Sequence, residues 1–454
     1  MNLAQVNSVY FLGIGGIGMS ALARYFNAKG NHVSGYDKNP SPITDQLIAE
    51  GIPVYFNEDE ERISTLRDSI EKKQTLVVYT PAIPKDHAEL LFLQSNSLPA
   101  HKRSVVLGAI TKTSKTIAVA GTHGKTTTST IIAHILHDAG FGCNAFLGGI
   151  AANYQTNFLF SGPDAWNVVE ADEYDRSFLT LEPTISVITS IDPDHLDVYG
   201  TVEEMKGTYV EFANLLPKSG SLYTATNVGD LGLDTLTYGF DDSDIKCTAV
   251  DYTAVKPTFD IALRGEVLEK MPLPLPGKHN IENTLVAVGI AHQLGIHESA
   301  IREALDSFMG IKRRFEYHYQ STSKVYIDDY AHHPAELAAT IKAARDKHPG
   351  LKVTGIFQPH LFSRTRDFAN EFAEELSKLD EIILLDIYPA REKPIPGVDS
   401  QWLLDKISTP HKKYIKKSQL LFELREREVE VLLTLGAGDI DRLISPIKDW
   451  ISTT

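Results

Sequence analysis

A chain of 454 residues, 43% hydrophobic and 23% charged, has the balance of a globular protein, and its length suggests about three domains. Its two cysteines, Cys143 and Cys247, exclude a disulfide scaffold and a cysteine-rich zinc site and fit a reducing cytoplasm. A net charge of -15 argues against nucleic-acid binding, and no apolar run is long enough for membrane insertion.

The N-terminus, Met1 to Val6, lacks a signal-peptide pattern and passes directly into a strand at Val9-Tyr10-Phe11-Leu12. Gly13-Ile14-Gly15-Gly16-Ile17-Gly18 follows, and Met19, Leu22, Ala23 and Phe26 then recur at helical spacing. A second strand, His32 to Tyr36, delivers Asp37 nineteen residues after Gly18, where a dinucleotide fold places a ribose-binding carboxylate. This Rossmann-like pattern admits any nucleotide diphosphate, so a UDP-sugar and NAD stand equal on physics. Leu76 to Tyr79 forms a further strand, with Thr80 to Pro84 as the loop at its carboxyl end. The first domain is expected to close near Ile110, with Lys112 to Lys115 as linker.

The next stretch, Ile117-Ala118-Val119-Ala120-Gly121-Thr122-His123-Gly124-Lys125-Thr126-Thr127, reads as a buried strand entering a phosphate-binding loop. Gly121 and Gly124 allow close approach to phosphate oxygens, Lys125 offers a charge to a terminal phosphate, and Thr126 offers a hydroxyl to magnesium. A full loop of the common type has a glycine where Val119 stands, so this one is a shorter version. Downstream, one strand ends in Glu170-Ala171-Asp172-Glu173 and another in Asp192-Pro193-Asp194-His195-Leu196-Asp197. Clustered acids beside a triphosphate loop imply a bridging cation, hence ATP with Mg2+. Pro272 to Gly277 interrupts regular structure, and Asn280 is expected to cap a helix carrying Ile281, Leu285, Val288 and Ile290.

Lys312-Arg313-Arg314-Phe315-Glu316 marks a second junction, either a solvated hinge or a phosphate clamp. Beyond it, strands at 324–327, 353–357, 382–385 and 429–433 predict a third α/β domain. Polar clusters follow three of them: Asp328 to Pro334, Gln358-Pro359-His360 with Arg364 and Arg366, and Gly436 to Asp439. Strand carboxyl ends are where such sheets hold ligands. The basic run Lys412, Lys413, Lys416 and Lys417 is read as a solvated face.

Together, Gly121 to Thr126, Glu170, Asp194-His195, His279-Asn280 with Asn283, Arg314-Phe315-Glu316 and Asp328-Asp329-Tyr330 resemble the Mur ligase family of ATP-dependent amide-bond enzymes. The likeness covers essentially the whole chain. Gly13 to Ser20, His332-His333-Pro334 and Tyr388-Pro389-Ala390-Arg391-Glu392 are most similar to the branch of that family that adds alanine. The resemblance implies a Rossmann-like UDP-sugar domain over 1–110, a P-loop ATPase domain over 111–311 and a Rossmann-like closing domain over 312–454. It implies UDP-N-acetylmuramate and L-alanine as substrates, ATP and Mg2+ as cofactors, and a cytoplasmic monomer or weak homodimer.

By the same likeness, Gly121, Thr122, His123, Gly124, Lys125, Thr126 and Thr127 would hold ATP, with Asn283 and His279 at its adenine and Asp329 at its ribose. Thr126, Glu170 and His195 would position magnesium. Arg314 would reach the γ-phosphate on domain closure. Gly13, Gly15, Gly16, Ile17, Gly18, Met19, Ser20 and Asp37 would serve the UDP sugar, and Tyr330, His332 and Arg364 the amino acid. Lys125, His195, Arg314 and His332 would carry the chemistry. The family pattern His-Arg-aromatic-Ser-Arg reads His360-Leu361-Phe362-Ser363-Arg364 here, which shifts the amino-acid carboxylate toward Arg364. Rival readings are a tripeptide-recycling ligase with similar central motifs and an NAD-dependent oxidoreductase that would leave the phosphate loop unused.

Overall fold

The computed structural model describes residues 2–192, 199–252, 256–390 and 392–453. Among them the strands assemble into three sheets, giving an α/β fold of three domains. Runs such as Val9 to Leu12 and Ile117 to Ala120 are buried throughout, as parallel strands between helix layers require.

The first sheet is parallel, in the order Val54–Tyr55, His32–Tyr36, Ser8–Leu12, Thr75–Tyr79, His101–Lys102. The strand order reverses between Ser8–Leu12 and Thr75–Tyr79, and a crevice lies at the carboxyl ends of strands where such a reversal occurs. The glycine loop leaves Ser8–Leu12 there and enters the helix Ile17–Ala28.

The second sheet has ten strands in the order Glu266–Pro272, Thr258–Leu263, Ile245–Asp251, Leu236–Gly239, Ser221–Ala225, Ile185–Ile188, Thr116–Ala120, Trp166–Glu170, Cys143–Ala151, Thr156–Leu159. Its interior is parallel and its two edges close with antiparallel pairs. Thr116–Ala120 therefore has Ile185–Ile188 on one side and Trp166–Glu170 on the other, which brings three strand ends to one place.

These two sheets belong to one compact unit, Met1–Pro274 with Asn280–Met309. A buried polar knot joins them: Asn157 donates to the Ile17 carbonyl at 2.5 Å and the Ser20 hydroxyl at 3.0 Å, and accepts from Arg24. Arg24 also pairs with Glu50 at 2.8 Å. Around the knot, Tyr25 packs its ring on Phe146, Phe158 and Phe160. Lower down, the Thr180 hydroxyl donates to the Ser104 carbonyl on the helix Arg103–Thr111.

The other unit, Leu275–His279 with Gly310–Thr454, carries the third sheet. Its order is Glu316–Gln320, Val325–Asp329, Val431–Leu435, Val353–Phe357, Glu381–Leu384, His411–Tyr414, antiparallel only at the first pair. One face buries Leu337, Phe372 and Leu403 from its helices, and the other buries Leu420, Leu424, Ile447 and Ile451.

One expectation needs correcting. Asn280 is not a cap: Gly277, at φ +101, turns the chain early, the helix runs Lys278–Gln293, and Asn280 is buried in its first turn. In the basic run near 412–417, Lys412, Lys413 and Lys416 are exposed as expected, while Lys417 is half-buried and donates to Asp439.

Asn157→Ala strips Arg24 of an acceptor and takes one donor from the Ile17 carbonyl, which keeps the Ser20 hydroxyl. The expected cost is about 1–3 kcal/mol, read as a lower urea midpoint at constant m-value.

Candidate active site

The phosphate loop is shaped from behind. Gly121 has φ +134, and a side chain there would place Cβ 2.0 Å from Thr189 Oγ1; Gly124 has φ +83 and begins the helix Lys125–Asp138. The Thr122 N–H donates to the Ser190 carbonyl at 3.1 Å and the His123 N–H to the Ser190 hydroxyl at 2.9 Å. Thr122 Oγ1 donates to the Asp192 carbonyl, and Thr189 Oγ1 to the His123 carbonyl. The Thr122 and His123 amides thus anchor the loop to the strand end at 189–192. The first helical turn, Lys125 to Thr127, retains the N–H groups with no intrahelical acceptor, and these, with the helix dipole, suit an anion.

Lys125 is mostly covered, its side chain 14% exposed, and its Nζ lies 2.6 Å from the Gly121 carbonyl and 2.8 Å from Glu173 Oε2. Burial pulls the ammonium pKa down, but Glu173 and Glu170 more than reverse this, and the group stays charged. Thr126 Oγ1 donates to Glu170 Oε2 at 2.8 Å. Glu170 fits against the neighbouring strand because position 148 is glycine; a Cβ there would fall 2.1 Å from Oε2. Thr127 is buried. Asn283 accepts from the Thr128 hydroxyl at 3.0 Å and faces Asn280, tying its helix to the phosphate-loop helix. His195 lies outside the described residues, as does Arg391.

In the first sheet, Asp37 Oδ2 accepts the Gly15 N–H at 2.8 Å, so the carboxylate braces the glycine loop. Gly13 is held by the Tyr36 carbonyl, while Gly16, exposed, caps the helix that starts at Ile17. Met19 and Ser20 are buried, and Ser20 Oγ donates to Ile17, so their side chains serve packing and leave the backbone toward the loop. Beside Gly18 lies the Arg103 guanidinium, paired with Asp172 at 3.2 Å. Arg103 escapes sequence reading, and Glu173 reads only as one of the clustered acids at its strand end, because their partners lie 69 and 48 residues away in the chain.

The third-sheet cluster stands by itself. Asp329 is buried, and its two oxygens accept the N–H groups of Phe315 at 2.7 Å and Ala331 at 2.8 Å. Arg313 is bound to Asp328 at 3.1 Å and to the Gly436 carbonyl at 2.6 Å. Arg314 instead makes a 4.0 Å contact with Glu336 and lies over the Tyr330 ring. His332 Nδ1 sits 3.0 Å from the Tyr330 carbonyl, and its ring meets those of Tyr330 and His360. Burial holds its pKa below the ordinary histidine value against a pull from Glu336, which leaves the imidazole neutral near pH 7. Arg364 is half-buried and makes no ion pair among the described residues; His279 is exposed.

Three family models match in succession: "Mur ligase family, catalytic domain" over residues 8–115, "Mur ligase middle domain" over 119–291, and "Mur ligase, glutamate ligase domain" over 313–440. The UDP-N-acetylmuramate--L-alanine ligase of Flavobacterium johnsoniae is 46% identical, covering 100% of this chain and 99% of that one. Its counterpart in Porphyromonas gingivalis is 49% identical, covering 98% and 99%. Among solved structures, the UDP-N-acetylmuramate-alanine ligase of Thermotoga maritima superposes with a TM-score of 0.82 at 26% identity over 98% of this chain and 100% of that one. A murein peptide ligase from Psychrobacter arcticus, 20% identical, superposes with a TM-score of 0.69 over 98% of each chain and shares the fold.

Burial pushes the Asp329 carboxyl from its ordinary 3.8 up to about 6, despite the pull of Arg314 and two backbone N–H groups. A raised carboxyl pKa means the folded chain holds a proton that the unfolded chain has lost, so stability falls as pH rises from about 4 to 6 and is then level. Relative to Asp329→Asn, the native chain should therefore gain on the order of 3 kcal/mol when pH is lowered from 7 to 4. Hydrogen exchange of the 325–329 amides measures it.

Proposed function

The chain belongs to the Mur ligase family, and from that premise we propose that it ligates L-alanine to the lactyl carboxylate of UDP-N-acetylmuramate with cleavage of ATP to ADP and phosphate. The observation that carries the reading is the meeting of Lys125, Thr126 and Glu170 at adjoining strand ends, in a chain aligned end to end with alanine ligases. The substrate carboxylate attacks the γ-phosphorus, ADP departs, and the alanine amine displaces phosphate from the resulting acyl phosphate. The protein must neutralise charge on the transferring group and keep water from the acyl phosphate.

Lys125 and the first-turn N–H groups of its helix are suited to the first task. In the first sheet, the glycine loop braced by Asp37 would hold the UDP diphosphate, with Arg103 beside it. Arg314 would supply a further cation to the phosphates, and Arg364 would receive the alanine carboxylate. Neutral His332 would take a proton from the incoming ammonium through Nε2, its Nδ1 being engaged with Tyr330.

The Thr126 hydroxyl and the Glu170 carboxylate fit magnesium, which needs one or two protein oxygens and takes the rest from phosphate and water. Among the described residues no group of three or more histidine, cysteine or acidic side chains could cage a metal, which suits an ion shared with the nucleotide. Magnesium would withdraw charge from the phosphate oxygens. No helix is long and apolar enough to cross a membrane among the described residues.

Phosphate release from ATP should require both UDP-N-acetylmuramate and L-alanine; release indifferent to either would refute the ligase reading. Lys125→Ala should lower kcat by about 100-fold or more. Glu170→Gln should raise the magnesium concentration for half-maximal rate about tenfold, whereas a titration curve superimposed on that of the native chain would remove Glu170 from the metal site.

A further inference from the structure

We infer that Glu173 is an internal stand-in for phosphate, a positioning residue that holds the Lys125 ammonium while no nucleotide is bound and yields it when one arrives; this rests on the ATP-binding reading above. Lys125 Nζ lies 2.9 Å from Oε1 and 2.8 Å from Oε2 of Glu173, straddling two anionic oxygens as it would straddle those of a phosphate. Its other partners are the carbonyls of Gly121 at 2.6 Å and Thr122 at 3.3 Å. An ammonium has three protons, and these partners take them all. A phosphate oxygen gains one only by displacement, and Glu173 is the anionic competitor.

The three acids of this strand end are sorted to three tasks. Glu170 faces Thr126, Asp172 turns outward to Arg103, and Glu173 turns inward, its side chain 4% exposed. The turn that aims Glu173 is held firmly. Its carbonyl accepts the Tyr199 hydroxyl and, at 3.0 Å, the Arg176 N–H. Asp175 and Arg176 both sit at φ +53, a left-handed region that non-glycine residues enter only under constraint. Lys102 pins Asp175 at 2.9 Å. A carboxylate presented by so constrained a turn competes with every incoming polyphosphate, and it recaptures the lysine as ADP leaves.

The test is calorimetric titration of the full chain with ADP, a non-hydrolysable ATP analogue and AMP. A phosphate-loop lysine meets β- and γ-phosphates. Glu173→Gln should therefore bind ADP and the analogue about tenfold tighter, since the population with an occupied lysine is removed, and should bind AMP as before. In turnover, the KM for ATP and kcat should fall together, because ADP leaves more slowly. Asp172→Asn removes the same charge without touching Lys125, and should change ADP affinity by less than about twofold. Unchanged or weaker ADP binding by folded Glu173→Gln overturns the inference, as does an equal gain for AMP or in Asp172→Asn. If Glu173→Gln does not fold, Glu173→Asp decides, its shorter carboxylate giving about threefold tighter ADP binding or, with no change, refuting the inference. Should the native chain bind neither ADP nor the analogue, the ATP reading itself fails, an outcome distinct from all of these.

Discussion

A cation taken largely out of water must be paired, and Lys125, its side chain 14% exposed, is such a cation at the start of the helix that follows a central strand. Much of the surrounding construction answers to that requirement. Thr116–Ala120 lies between two strands whose ends project carboxylates or hydrogen-bonding groups, so the loop that carries the lysine emerges among anchors. Ser190 and Thr189 occupy the loop's own polar groups, which keeps the backbone from collapsing onto the helix N-terminus. The loop is left with one strong positive feature and one anionic partner, and the partner is replaceable.

The neighbouring sheet depends on the same arrangement. Asn157 and Arg24 form the buried polar knot between the first two sheets, and the Arg103–Asp172 pair lies between the glycine loop and the acidic strand end. Because both sheets lie in one compact unit, the two glycine-rich loops are held on a common scaffold. Two anionic substrates that must react with one another benefit from such fixed positioning, since freedom lost once in folding is not lost again at each turnover.

Sequence alone displayed the parts of this fold that local pattern encodes. Buried parallel strands read as continuous apolar runs, and glycine loops at their ends read from spacing. The antiparallel edges did not, because Ile245–Asp251 and Thr258–Leu263 are only half buried and their register shifts at bulges between Cys247 and Ala249 and between Phe259 and Ile261. The site followed the same rule. Lys125, Thr126 and Glu170 could be named from strand-end context, whereas the Lys125–Glu173 and Arg24–Asn157 contacts join residues 48 and 133 apart, and no periodicity reports such distances.

Adjacent arginines in the other unit show why position in a motif is a weaker guide than the fate of each side chain. Arg313 and Arg314 are alike in sequence, but Arg313 takes φ +62, and its guanidinium is bound to Asp328 and the Gly436 carbonyl. Phe315 follows at φ +49, and its N–H is tied to Asp329. Two left-handed residues flanking Arg314 fix its backbone without fixing its charge, which rests on the Tyr330 face and a 4.0 Å contact with Glu336. A guanidinium with a rigid base and weak partners can exchange them for a phosphate at little loss. Arg313 cannot, since leaving would strand the buried Asp328 carboxylate. The first arginine therefore builds the turn, and the second is the one that the turn presents.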